Sequence, residues 1–152
     1  MIIGIDPGKS GGIAIINRNK KGAIKCIHAF GCPEDIIEMN ELIKKAKKSQ
    51  SYKSIVCYLE QVWAFPTDGR SSVFKFGMNY GIWQGILCSN QIHTKLITPK
   101  KWQSYFGTLP KTKQERKKEL KKIASEQSGI KATLKTADAI CIALYGIYDD
   151  TQ

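Results

Sequence analysis

The sequence predicts one α/β domain, and three observations predict it. Short apolar runs of strand length, bounded by turn residues, alternate with longer segments whose apolar positions recur at helical spacing. The chain has 152 residues, which is one domain's worth. It is 42% hydrophobic and 24% charged, the balance of a folded chain with a core and not of a disordered one.

Met1 to Asp6 is an apolar run that ends in a carboxylate. Pro7 to Gly12 reads as a turn, and Ile13 to Ile16 resumes the apolar run, so the three form a hairpin. A polar turn then leads to a loosely alternating third strand, Ala23 to Phe30. Pro33 to Lys48 carries Ile36, Ile37, Leu42, Ile43 and Ala46 among charges, which predicts an amphipathic helix. Its last turns hold Lys44, Lys45, Lys47 and Lys48, where the helix dipole favours cations. Ser54 to Glu60 gives the strongest strand signal, continuous enough for a strand covered on both faces. Trp63 to Ser72 is expected as a loop, and Val73 to Ser89 as a helix. That helix contains Gly77, Gly81 and Gly85 on one face, although glycine costs about 1 kcal/mol at each interior position. The stripe predicts close approach of another backbone, either a second copy of the chain or its own sheet. Thr94 to Thr98 reads as a strand and Pro99 to Phe106 as a short helix. Lys113 to Gln127 reads as a charged helix, and Ala137 to Tyr148 as an apolar closing one. No repeat or interdomain linker interrupts the series.

Composition narrows the function classes. The formal net charge of +11 points to a polyanionic partner, nucleic acid or an anionic surface. From Lys95 to Lys135 there are 12 Lys or Arg against three Glu, and this concentration favours a phosphate-backbone footprint over an ordinary solvated face. No apolar run is long enough for a membrane helix, so no membrane partner is expected. The N-terminus lacks the pattern of a signal peptide, which predicts an intracellular protein. The cytoplasm of a bacterium or of a phage-infected host is the expected setting, with an organelle left open. The cysteine count is odd and no CxxC occurs, so neither a disulfide framework nor a zinc knuckle is indicated. Cys57 and Cys141 fall in apolar runs and are expected in the core. The loop from Asp6 to Gly11 lacks the spacing of a Walker phosphate loop.

Three acids stand out by position. Asp6 ends the first strand, Glu60 ends the most apolar strand, and Asp138 opens the closing helix. Each has an ordinary alternative: a turn for Asp6, a lysine partner for Glu60, helix N-terminal stabilisation for Asp138. Taken together they suit a divalent-metal site, because carboxylates surrounded by apolar residues need a compensating charge and Mg²⁺ prefers oxygen ligands.

These residues also carry a resemblance. Ile3-Gly4-Ile5-Asp6-Pro7-Gly8, Leu59-Glu60-Gln61-Val62-Trp63 and Ala137-Asp138-Ala139 resemble the RuvC-type Holliday-junction resolvases. The stretch from Tyr58 to Gly69, the Tyr80-Gly81-Ile82-Trp83 segment and Ile97 to Trp102 are similar to the phage and chloroplast branch of that group. The resemblance runs from Met1 to about Tyr148 in the family's order. It implies a ribonuclease-H-like mixed sheet flanked by helices and a homodimer. It also implies an endonuclease that nicks four-way DNA junctions with two Mg²⁺ ions, Mn²⁺ substituting, leaving 5′-phosphate and 3′-hydroxyl ends. Asp6, Glu60 and Asp138 match its metal-binding acids, and Lys113 matches a lysine used beside the scissile phosphate, with Lys111 as the alternative. Trp63 falls where the family places an aromatic beside the acidic strand end; such a ring could stack on unpaired bases, whereas a core tryptophan is the ordinary alternative. The polar loop after it argues for exposure. Trp83 and Trp102 are expected in the core. Arg70, Lys100, Lys101, Lys111 and Lys117 are the expected backbone contacts along with Trp63. One departure is plain: many members have a further acid three residues before the last one, and here that position is Lys135. A ribonuclease-H-like nuclease acting on RNA or other branched DNA, and a junction binder without catalysis, are the alternatives.

Overall fold

A computed structural model describes residues 1–19, 23–49, 55–64 and 69–151. The chain forms β1 (Ile2–Asp6), β2 (Gly12–Arg18), β3 (Ile24–Gly31), α1 (Ile36–Lys48), β4 (Val56–Glu60), α2 (Arg70–Ser89), β5 (His93–Ile97), α3 (Pro99–Ser104), α4 (Lys113–Ser128) and α5 (Ala137–Asp149). The five strands make one sheet in the order β3-β2-β1-β4-β5. Strands β1 and β2 pair antiparallel, as the hairpin reading predicts, β3 adds antiparallel to β2, and β4 and then β5 extend the sheet in parallel from β1. This is the expected mixed sheet flanked by helices.

Strand parity decides which helix each side chain meets, because alternate residues point to opposite faces. Ile3, Ile5, Ile13, Ile15, Cys57 and Leu59 face α1 and α2, where Met39, Ile43, Trp83 and Leu87 complete a core. Ile2, Ala14, Ile16, Val56 and Tyr58 face the other way, onto α5 with α4 and Trp102 behind it. Asp6 and Glu60 belong to this second set by parity. The same two-sided burial explains why Ser54 to Glu60 reads as a continuous apolar run; Ser54 itself lies outside the described residues.

Helix α5 crosses β1 unusually close. A Cβ at Gly4 would sit 2.4 Å from the Ala139 carbonyl oxygen and 2.5 Å from the Ala143 nitrogen. Only a bare backbone fits there, so Gly4 sets the height of α5 above the sheet.

Several boundaries differ from the sequence reading. Helix α1 starts at Ile36 and not at Pro33, because the Asp35 carboxylate accepts from the Ile37 and Glu38 amides and caps it. Helix α2 starts at Arg70, so the expected loop is shorter; its N-cap, Gly69, provides no side-chain cap to announce it. The glycine stripe does not pack on the sheet: among the described residues, nothing outside the helix's own nearby backbone lies within 4 Å of a Cβ placed at Gly77, Gly81 or Gly85. Among the described residues, no helix is long and apolar enough to cross a membrane.

Candidate active site

Strands β1 and β4 are parallel and in register, Ile5 opposite Leu59, so both chains leave the sheet at the same end. That end is where open α/β sheets place their ligands. Asp6 and Glu60 are the last residues of the two strands and share a face. Asp138 enters the same space from the first turn of α5, next to Ala139, whose carbonyl rests on Gly4. The three acids that the sequence singles out are therefore brought to one place.

Their electrostatics record the crowding. Burial raises the Asp6 carboxyl well above its ordinary range, and the charges of Glu60 and Asp138 push it further. The side-chain contact between Asp6 and Glu60 raises Asp6 further and lowers Glu60. Glu60 is also raised, mainly by burial, while hydrogen bonds from Trp102 and Asp6 pull it back. Burial raises Asp138, opposed by the charges of Lys117 and Arg116. Lys117 acts on all three acids.

Two residues that the sequence reading passed over support this arrangement. The indole N–H of Trp102 donates to Glu60 Oε1 at 2.8 Å. Trp102 is fully buried, as expected, but it is a core residue with a polar task. Asn79 on α2 accepts the Gly8 amide at 2.7 Å and so ties down the turn that follows Asp6. Gly8 holds φ +110°, a conformation that L side chains rarely adopt.

A cleft of about 650 Å³ is lined in part by Ser10 and Trp63, from the segments that follow Asp6 and Glu60, and by Phe76, Tyr80 and Lys113; none of the three acids lines it. Trp63 is 50% exposed there, so it is not a core tryptophan. Lys113 shares this cleft with Trp63, whereas Lys117, one helical turn along α4, faces the acids. Arg116 donates to the Pro110 and Lys111 carbonyls and fixes the approach to α4. Arg70, Lys100 and Lys111 are exposed. Lys101 is exposed too, but its ammonium lies 4.0 Å from Asp149. Lys135 lays its side-chain stem over Gly31 of β3. It is not among the charges acting on the three acids.

The donor set fits a hard divalent cation: oxygen ligands only, on buried carboxylates whose mutual repulsion a cation would offset. As they stand the acids are not drawn into a finished cage. Among the described residues, no three His, Cys, Asp or Glu side chains are gathered closely enough to hold an ion.

No protein-family model and no curated protein matches the sequence. Solved structures do match its fold. Thermus thermophilus RuvC in complex with a Holliday junction substrate aligns with a TM-score of 0.67 at 14% identity, covering 99% of this chain and 94% of that one. Fowlpox virus resolvase, solved with its Holliday junction DNA, aligns at 0.54 and 15% identity over 99% of both chains. The yeast mitochondrial Holliday junction resolvase Ydc2 aligns at 0.51 and 13% identity, covering 96% of this chain and 75% of that one. At these identities the likeness shows the fold. It extends to RuvC and to resolvases outside it, and does not single out the phage and chloroplast branch.

Proposed function

We propose that this protein is a structure-selective DNA endonuclease that nicks four-way junctions with divalent metal ions, Mg²⁺ or Mn²⁺. The observation that carries the reading is the convergence of Asp6, Glu60 and Asp138 within the field of Lys117, on a fold shared with junction resolvases. Asp6, Glu60 and Asp138 would hold the ions. When bound, such ions lower the pKa of an attacking water and neutralise charge on the leaving oxygen.

The chain's own residues supply the rest. Lys117 offsets the mutual repulsion of the three acids and stands ready to meet a phosphate oxygen. Lys113 and Trp63 line the adjoining cleft, where a strand leaving the junction centre can lay a base on the indole. Arg70, Lys100 and Lys111 present exposed charge to the flanking backbone, and Lys101 adds to it from α3. Products with 5′-phosphate and 3′-hydroxyl ends are expected.

Resolution needs two opposed nicks, hence two sites. We infer a homodimer built on α2. Gly77, Gly81 and Gly85 leave an open track along that helix, flanked by Phe74 and Met78 at 69% and 51% exposure. The test compares synthetic junction, fork, duplex and RNA–DNA hybrid substrates with and without Mg²⁺. Nicking confined to the junction and dependent on the metal supports the reading. Preferential cleavage of the hybrid would replace it with a ribonuclease-H-like activity, and metal-independent binding without nicking would leave a junction binder.

A further inference from the structure

Glutamate is a flexible ligand, with a carboxylate that can turn either oxygen toward a cation. At the end of β4 that freedom is removed by a residue 42 positions away. The Trp102 indole is fully buried, packed edge-on against Phe106 with ring centroids 6.3 Å apart. Its helix, α3, is fixed at its start: Pro99 occupies the first turn, and the Thr98 hydroxyl accepts the Lys101 amide at 3.2 Å. The strand ends are also joined, the Gln61 amide donating to the Ile97 carbonyl at 2.8 Å. The indole N–H is thus a stationary donor, 2.8 Å from Glu60 Oε1.

We propose that Trp102 is a positioning residue for the metal site: its N–H holds Glu60 Oε1 and leaves the other oxygen to face a cation shared with Asp6 and Asp138. The inference rests on the function proposed above. It gives α3 a second role, because Lys100 and Lys101, its neighbours in sequence, are surface charges of the kind that meet phosphate. The helix that touches the DNA backbone is also the helix that orients a ligand. Outer-shell partners of metal ligands typically affect metal affinity by about 10–100-fold, and that is the range expected here.

The decisive variant replaces Trp102 with 3-benzothienylalanine, which keeps the bicyclic shape and substitutes sulfur for N–H. Trp102→Phe is the genetically encoded companion. Three readouts are taken on the full chain: thermal melting, Mn²⁺ binding to the free protein by electron paramagnetic resonance, and the Mg²⁺ concentration at half-maximal junction nicking. The expected result for the benzothienyl protein is unchanged melting, Mn²⁺ binding weaker by about 10-fold or more, and a matching rise in the Mg²⁺ requirement. Trp102→Phe should weaken Mn²⁺ binding similarly even where it also lowers the melting temperature. Wild-type Mn²⁺ affinity in the benzothienyl protein overturns the positioning role while leaving the nuclease reading intact. Failure of the wild-type protein itself to bind Mn²⁺ or nick a junction overturns both.

Discussion

Replacing Gly4 with alanine adds one methyl group where helix α5 lies directly against strand β1. The new Cβ would stand 2.4 Å from the Ala139 carbonyl oxygen and 2.5 Å from the Ala143 nitrogen. Ordinary van der Waals contact begins near 3.4 Å, so α5 must retreat by about 1 Å. The obstructing atoms are backbone, and no rotamer change relieves them. Overpacking of this kind costs about 1–3 kcal/mol, which in a chain of this size lowers the melting temperature by roughly 2–12 °C. The larger effect falls on chemistry. Asp138 precedes Ala139 and moves with it, and a 1 Å misplacement of a reacting group can cost on the order of 100-fold in rate. Gly146→Ala is the control. It meets the buried Tyr58 ring at 2.6 Å near the far end of α5, so it should destabilise comparably and slow nicking much less. The assay pairs calorimetric melting with single-turnover nicking below the melting range. A Gly4→Ala protein that melts early but nicks at the wild-type rate would refute the link between Gly4 and the position of Asp138.

Three further outcomes follow from the same geometry. Trp63→Ala should leave melting unchanged and slow junction nicking, with a stacking loss of about 1–3 kcal/mol per base; a fall in melting temperature like that of a core truncation would contradict its exposure. Gly81→Leu should keep the fold, since open space surrounds that position, and should shift sedimentation from dimer to monomer; a folded dimer would count against the α2 interface. Asp149 is held down to about 2, first by the Lys95 ammonium and then by the Tyr58 and Tyr145 hydroxyls. A depressed carboxyl adds stability above its unfolded value near pH 4 and loses it as pH falls toward 2. Asp149→Asn should therefore cost about 1 kcal/mol at neutral pH, after allowing for solvent screening, and the deficit should close toward pH 2; parallel melting curves for variant and wild type would contradict this.

Much of the architecture was legible because the signals were local. An apolar run from Met1 to Asp6, a turn at Pro7-Gly8, and a doubly covered run ending at Glu60 each report on their own neighbourhood. The acids were legible for the same reason, since each closes or opens an element. What stayed hidden depends on rotation and through-space contact. Lys113 and Lys117 are four residues apart on one helix, and the sequence cannot say which faces the acids. Leu120 and Ala124 are buried on the face that carries both lysines, so the lysines' position along the helix axis, which the sequence does not show, decides between them. Trp102 reads as a core residue and is one, but its bond to Glu60 joins elements that nothing in the spacing connects. The glycine stripe suggested close approach of another backbone, and among the described residues none lies against it. Spacing alone cannot tell an open face from a packed one, which is why the sequence left two answers. Lys135, which looked like a missing ligand, follows Gly31 away from the acids.

The central claim is that Asp6, Glu60 and Asp138 form one metal-dependent nicking centre. The most direct measurement takes Asp6→Asn, Glu60→Gln and Asp138→Asn in turn, with a synthetic four-way junction in Mg²⁺ and in its absence, and scores both nicking and junction affinity. The account predicts that each variant binds the junction about as well as wild type, because affinity rests on lysine and arginine contacts, and that none nicks it. Near-normal nicking by any one of the three would remove that residue from the centre, and near-normal nicking by all three would contradict the account.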